Sequence, residues 1–161
     1  MSSSVSKEQF HALCAKASEE SHPDRSMKYE ELLGHILSEQ IRLSAALRQH
    51  IDIINANFIP QLEDLALDNP AVMKLFAGIL ARLITCRNFS KRQEGCFPSV
   101  LHIPHDEDSS WTFLSALHKE VADREGNDSA KLAFVKKLIQ TSLHTRLHQS
   151  EESIASKLAS L

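Results

Sequence analysis

The chain has 161 residues, 42% hydrophobic and 24% charged, with 18 Lys and Arg against 21 Asp and Glu. That length buries one sizeable core and that composition is globular rather than disordered. A net charge of −3 offers no basic field to hold a phosphate backbone, which disfavours general nucleic-acid binding.

The longest apolar run, AVMKLFAGILARLI, is broken by Lys74 and Arg82 and is too short to span a bilayer. The N-terminus, MSSSVSKEQ, lacks the basic start and apolar run of a cleavable secretory signal. Three cysteines with no C-x-x-C pair indicate a reducing, cytoplasmic setting.

The first helix follows a flexible start at residues 1–5. Ser6 and Gln9 have capping-box spacing, Val5 and Phe10 occupy the staple positions, and Phe10, Leu13, Cys14 and Ala17 form one apolar face. After a turn at 21–25, with Asp24 or Ser26 as N-cap, the pattern predicts one long helix to about Asn57. Its stripe is Tyr29, Leu33, Ile36, Leu37, Leu47, Ile51, Ile54 and Phe58. About 30 residues at 1.5 Å each make roughly 45 Å, longer than its neighbours, and Pro60 ends or kinks it.

Asp68-Asn69-Pro70 is a helix-start signal. The helix it opens, Ala71 to about Asn88, is apolar around most of its circumference and is the expected central helix. Residues 89–108 read as a long irregular loop in which SVLHI is the one strand-like stretch. Asp108 or Ser109 then caps a helix carrying Trp111, Leu114, Leu117 and Val121, which Gly126 stops. Asp128 starts the last helix, with Leu132, Val135, Ile139, Leu143 and Leu147. The stripe resumes at Ile154, Leu158 and Leu161, so residues 150–161 are either its continuation or a separate terminal helix. The expected fold is a single all-α domain, residues 1–161, an antiparallel bundle of about five helices.

Chemistry concentrates in the loop. Cys86, Cys96, His102 and His105 are ligand types that zinc takes, spaced C-x9-C-x5-H-x2-H rather than in paired knuckles. Cys96 with His102 or His105 and Asp106 is a weaker nucleophile arrangement. The loop opens basic at Arg87, Lys91 and Arg92 and closes acidic at Asp106, Glu107 and Asp108. Phe97, Pro98, Val100 and Ile103 between them suit a docking surface or a flap over the bundle.

His144 and His148 lie one helical turn apart with Glu151 and Glu152 beyond, a second metal-compatible spacing on the flank of the apolar stripe. His35-x-x-x-Glu39 is similar to the His/Glu pairs of di-iron bundles, but His35 projects away from the core stripe. His22-Pro23-Asp24 resembles the signature tripeptide of J-domain cochaperones. The preceding helix, however, sets Lys7 and Lys16 against Glu8, Glu19 and Glu20 where that family's is basic, so we read a turn opening a helix. There is no Gly-rich phosphate loop or nucleophile elbow, and aromatic residues are only 6%.

The function read from these residues is a non-catalytic helical interaction module, an adaptor, regulator or chaperone-like protein. Its contacts are to a protein partner or a second copy, through Ile51, Ile54 and Phe58, through Phe97, Val100 and Ile103, or through Ile154, Leu158 and Leu161. The alternatives are a zinc-type metal protein using the ligands named above, and an enzyme with a site assembled between helices around Tyr29, Trp111 or several histidines.

Overall fold

The computed structural model describes residues 5–125 and 129–161. It is all-α, 77% helical, with no strand among the described residues. Helix α1, Lys7–Glu19, carries the expected reciprocal cap: Gln9 N donates to Ser6 Oγ at 3.1 Å and Ser6 N donates to Gln9 Oε1 at 3.0 Å. Of the expected flexible start, residues 1–4 lie outside the described residues, whereas Val5 packs on the core. The buried His50 ring holds it, with Nε2 3.0 Å from Val5 O.

The long second helix is instead a succession of segments. Helix α2, Pro23–Glu39, is capped by His22, not by Asp24 or Ser26: His22 Nδ1 accepts from Asp24 N at 3.3 Å, and Pro23 takes the first position. The helix stops at Glu39, and after a turn α3 runs Ser44–Ile53 with no side-chain cap. Tertiary partners replace the local signal that the break lacks: Gln93 Nε2 donates to Ile41 O at 3.4 Å, and the Cys96 thiol to Ser44 O at 3.8 Å. Pro60, which has no N–H and crowds the preceding turn, coincides with a π turn at Ile54–Phe58 and a 3₁₀ turn at Ile59–Gln61 before α4, Leu62–Asp68. The apolar stripe therefore wraps the core and leaves no overhang: Ile51, Ile54 and Phe58 are all buried, and Phe58 stacks on Phe76 at 5.3 Å.

Helix α5, Val72–Ile84, is the central helix, with eleven of its thirteen residues buried. It ends four residues short of the expected Asn88. Asn69 does more than announce it: Nδ2 donates to Ser18 O and Glu20 O, both at 2.9 Å, and ties the end of α1 to its start. Helix α5 packs on α2 and on α7, Glu107–Glu125. Two glycines let α2 and α5 come together. A Cβ on Gly78 would lie 2.1 Å from Glu30 Oε1, and one on Gly34 would lie 2.9 Å from the Arg82 stem. Between them Arg82 Nε donates to Glu30 Oε2 at 2.7 Å, a nearly sealed ion pair.

The connection before α7 holds a short helix α6, Lys91–Glu94. Asp106 starts α7, two residues earlier than expected, its Oδ2 accepting from Ser109 N at 2.9 Å. Bonds from the Ser109 side chain and backbone hold the Asp106 carboxyl below its ordinary value. The expected stop at Gly126 and start at Asp128 lie outside the described residues. Ser129 caps α8, Ala130–Leu147. The chain breaks at His148, whose φ of 53° is left-handed, and Ser150 caps α9, Glu151–Ala159. Of the two alternatives for residues 150–161, the separate terminal helix is the one present.

Candidate functional site

The stretch between α5 and α7 is where the fold departs most from regular bundle packing. SVLHI is irregular, bent at Ser99 and Val100, and forms no strand. Side chains satisfy its backbone instead: His102 N donates to Asn55 Oδ1 at 2.7 Å, Asn55 Nδ2 to Val100 O at 3.2 Å, and Leu101 N to Ser142 Oγ at 2.9 Å. Asn55 sits in the π turn, where the widened backbone aims it at the segment; Ser142 is fully buried on α8. Leu101 and Ile103 are thereby pressed into the core.

Upstream, Phe89, Phe97 and Phe134 form an aromatic triangle with ring centroids 5.5 to 6.0 Å apart. Beside it, between α6 with the turn after it and α8, lies an open cleft of about 390 Å³. Its walls are Phe97, Pro98, Phe134 and Leu138, and Lys91 and Lys137 stand at its rim with Glu94. Both lysines are exposed. The concavity joins aromatic and proline surface to two cations, a chemistry suited to an apolar side chain with an acidic neighbour.

The remaining sequence candidates are dispersed. Cys86 is half-buried and Cys96 buried, while His102 and His105 are exposed. Cys96 bonds the Ser44 carbonyl, and Asp106 is engaged in capping. His144, His148, Glu151 and Glu152 are exposed on either side of the break between α8 and α9. His35 pairs with Glu39 at 2.7 Å on the outer surface of α2. Among the described residues no group of three or more His, Cys, Asp or Glu converges to hold a metal ion. Tyr29 borders a shallow depression with Leu32 and Arg25, whereas Lys157 lies over the Trp111 ring at 5.4 Å.

Of the docking candidates, Phe97, Ile103 and Ile154 are buried, Val100 and Leu158 half-buried, and Leu161 38% exposed. Helix α9 is docked on its own chain through Ile154 and through Lys157, whose Nζ lies 2.8 Å from Glu107 Oε1. Sequence reasoning missed the contribution of α8 to the cleft, Phe134, Lys137 and Leu138. Phe134 lies one residue from the Leu132/Val135 stripe, and its aromatic character was the only available signal.

Comparison of the chain with protein-family models, with curated proteins and with solved structures returned no match. Among the described residues no helix is long and apolar enough to cross a membrane.

Proposed function

We propose that this protein is a non-catalytic helical interaction module, and that the cleft between the α5–α7 connection and α8 receives an apolar side chain of a protein partner. The observation that carries the reading is the cleft itself, an aromatic and proline wall whose rim carries two lysines, Lys91 and Lys137, against one acid, Glu94. An acidic residue next to the anchoring side chain would meet those lysines, giving orientation and on-rate more than affinity. A second copy of the chain is the alternative occupant. Three free thiols support a reducing, cytoplasmic setting.

The test places a photo-crosslinking amino acid at Thr141, on the cleft wall, and irradiates cell extract with and without the double charge reversal Lys91→Glu/Lys137→Glu. A discrete adduct that disappears with the reversal supports the proposal, and its mass separates a partner from a second copy. No adduct, or one indifferent to the reversal, refutes it.

A further inference from the structure

Helix α9 is joined to α8 by a hinge that carries two costs. His148, at the break, has φ 53° and ψ 31°, and among the described residues it is the only non-glycine with positive φ. A Cβ disfavours that conformation relative to the helical one. Beside it, Gln149 Nε2 donates to Glu107 Oε1 at 3.1 Å, which fixes the orientation of the amide and leaves its Oε1 buried without a hydrogen-bond partner.

Nothing in the local sequence imposes the break, since no Gly or Pro occurs between Ser129 and Leu161. On a straight helix, at 100° per residue, Leu143, Leu147, Ile154, Leu158 and Leu161 fall within about 60° of one another, and Gln149 lies on the far side. Two helices parted by a left-handed turn have no need to share one register, yet α8 and α9 do. Straightened from Ala130 to Ala159, they would make one helix of roughly 45 Å. The docking of α9 meanwhile depends on its own chain only through residues 148–150. Ile154 enters the core, while Lys157 Nζ lies 2.8 Å from Glu107 Oε1 and over the Trp111 ring.

We propose that α9 is exchanged between two copies of this chain. The hinge straightens, and each α9 takes in the other copy the seat it holds in its own. Ile154 fills the same core position and Lys157 meets the same Glu107 and Trp111, so the docking contacts are kept. His148 becomes helical and Gln149 turns to solvent, so both hinge costs are released. Since each copy gives one helix and receives one, the exchange closes at a two-fold dimer.

The Lys157 and Glu107 pair supplies the readout. The full chain is equilibrated across the micromolar to millimolar range and sized by chromatography with light scattering. Monomer and dimer fractions are then treated with a carbodiimide, which condenses an adjoining amine and carboxylate into an amide with loss of water. After denaturation, the 107–157 link is expected to join two chains in the dimer and to lie within one chain in the monomer, and Glu107→Gln is expected to abolish it. His148→Ala suits the helix and His148→Gly suits the left-handed turn, and two hinges change per dimer. The dimerisation constant is therefore expected to rise with Ala and fall with Gly, the two variants differing at least about tenfold. A natural chain that stays monomeric throughout the range, a dimer whose 107–157 link stays within one chain, or equal dimerisation of the two hinge variants would each overturn the proposal.

Discussion

Gly78→Ala tests the close approach of α2 and α5. In an ordinary helix interior that change is favourable by roughly 1 kcal/mol from propensity alone. Here the new methyl falls 2.1 Å from Glu30 Oε1 and 2.3 Å from its Cδ, so the carboxylate has to leave Arg82, now 2.7 Å away. Breaking a fully sealed ion pair costs about 3–5 kcal/mol. The Arg82 side chain keeps 26% of its exposure, and water screening lowers the loss to about 2–3 kcal/mol.

Set against the propensity gain, the net destabilisation is about 1–2 kcal/mol, a fall in melting temperature of about 2–8 °C for a chain of this size. In a Glu30→Ala background the methyl no longer meets the carboxylate and there is no ion pair to break, so the same substitution should raise the melting temperature. Calorimetry or thermal circular dichroism of the four proteins reads the reversal of sign. A neutral or stabilising Gly78→Ala in the natural chain, or an equal loss in both backgrounds, would refute the reasoning.

Ser142→Ala leaves the Leu101 N–H buried without its acceptor, and a loss of about 1–3 kcal/mol is expected in denaturant titration. Asn55→Leu removes both bonds to the Val100–His102 backbone; faster amide exchange confined to that segment is the expected signature, and unchanged exchange would contradict it. Under native conditions an alkylating reagent should take the half-buried Cys86 first. Burial pushes the Cys14 thiol up to about 12, so that residue should react only after denaturation. Because His118 is held below the ordinary value, the unfolded chain takes up a proton that the folded chain refuses as pH falls through about 6.5. Stability present above that pH should therefore decline on acidification, and His118→Gln should remove that part of the decline.

The parts of this molecule legible in the sequence are those whose signals are local. The Ser6/Gln9 cap and the all-round apolarity of α5 are each encoded within a few residues of where they act. The end of α2 is not: the stripe resumes at Leu47 beyond the break, no cap residue opens α3, and the Ile41 and Ser44 carbonyls are met by Gln93 and Cys96 some fifty positions away. The strand-like look of SVLHI misleads for the same reason, since buried backbone outside regular structure needs partners and here these are the side chains of Asn55 and Ser142. Of the cleft, Phe97, Pro98 and Lys91 were visible as a charged and apolar loop. The α8 wall was hidden because a helix stripe names what faces the core, not what faces a neighbouring loop.

The Val100–His102 segment also fixes an order of events. Its backbone is held by groups 45 and 47 residues before it and 41 residues after it, so it cannot settle until the π turn and α8 have both been brought to the core. Closure of such separations follows local helix formation. The stretch is thus late to order, and the cleft beside it belongs to the finished molecule alone. A partly unfolded chain would lack this cleft, so a partner of the kind proposed would find its seat only on the folded molecule.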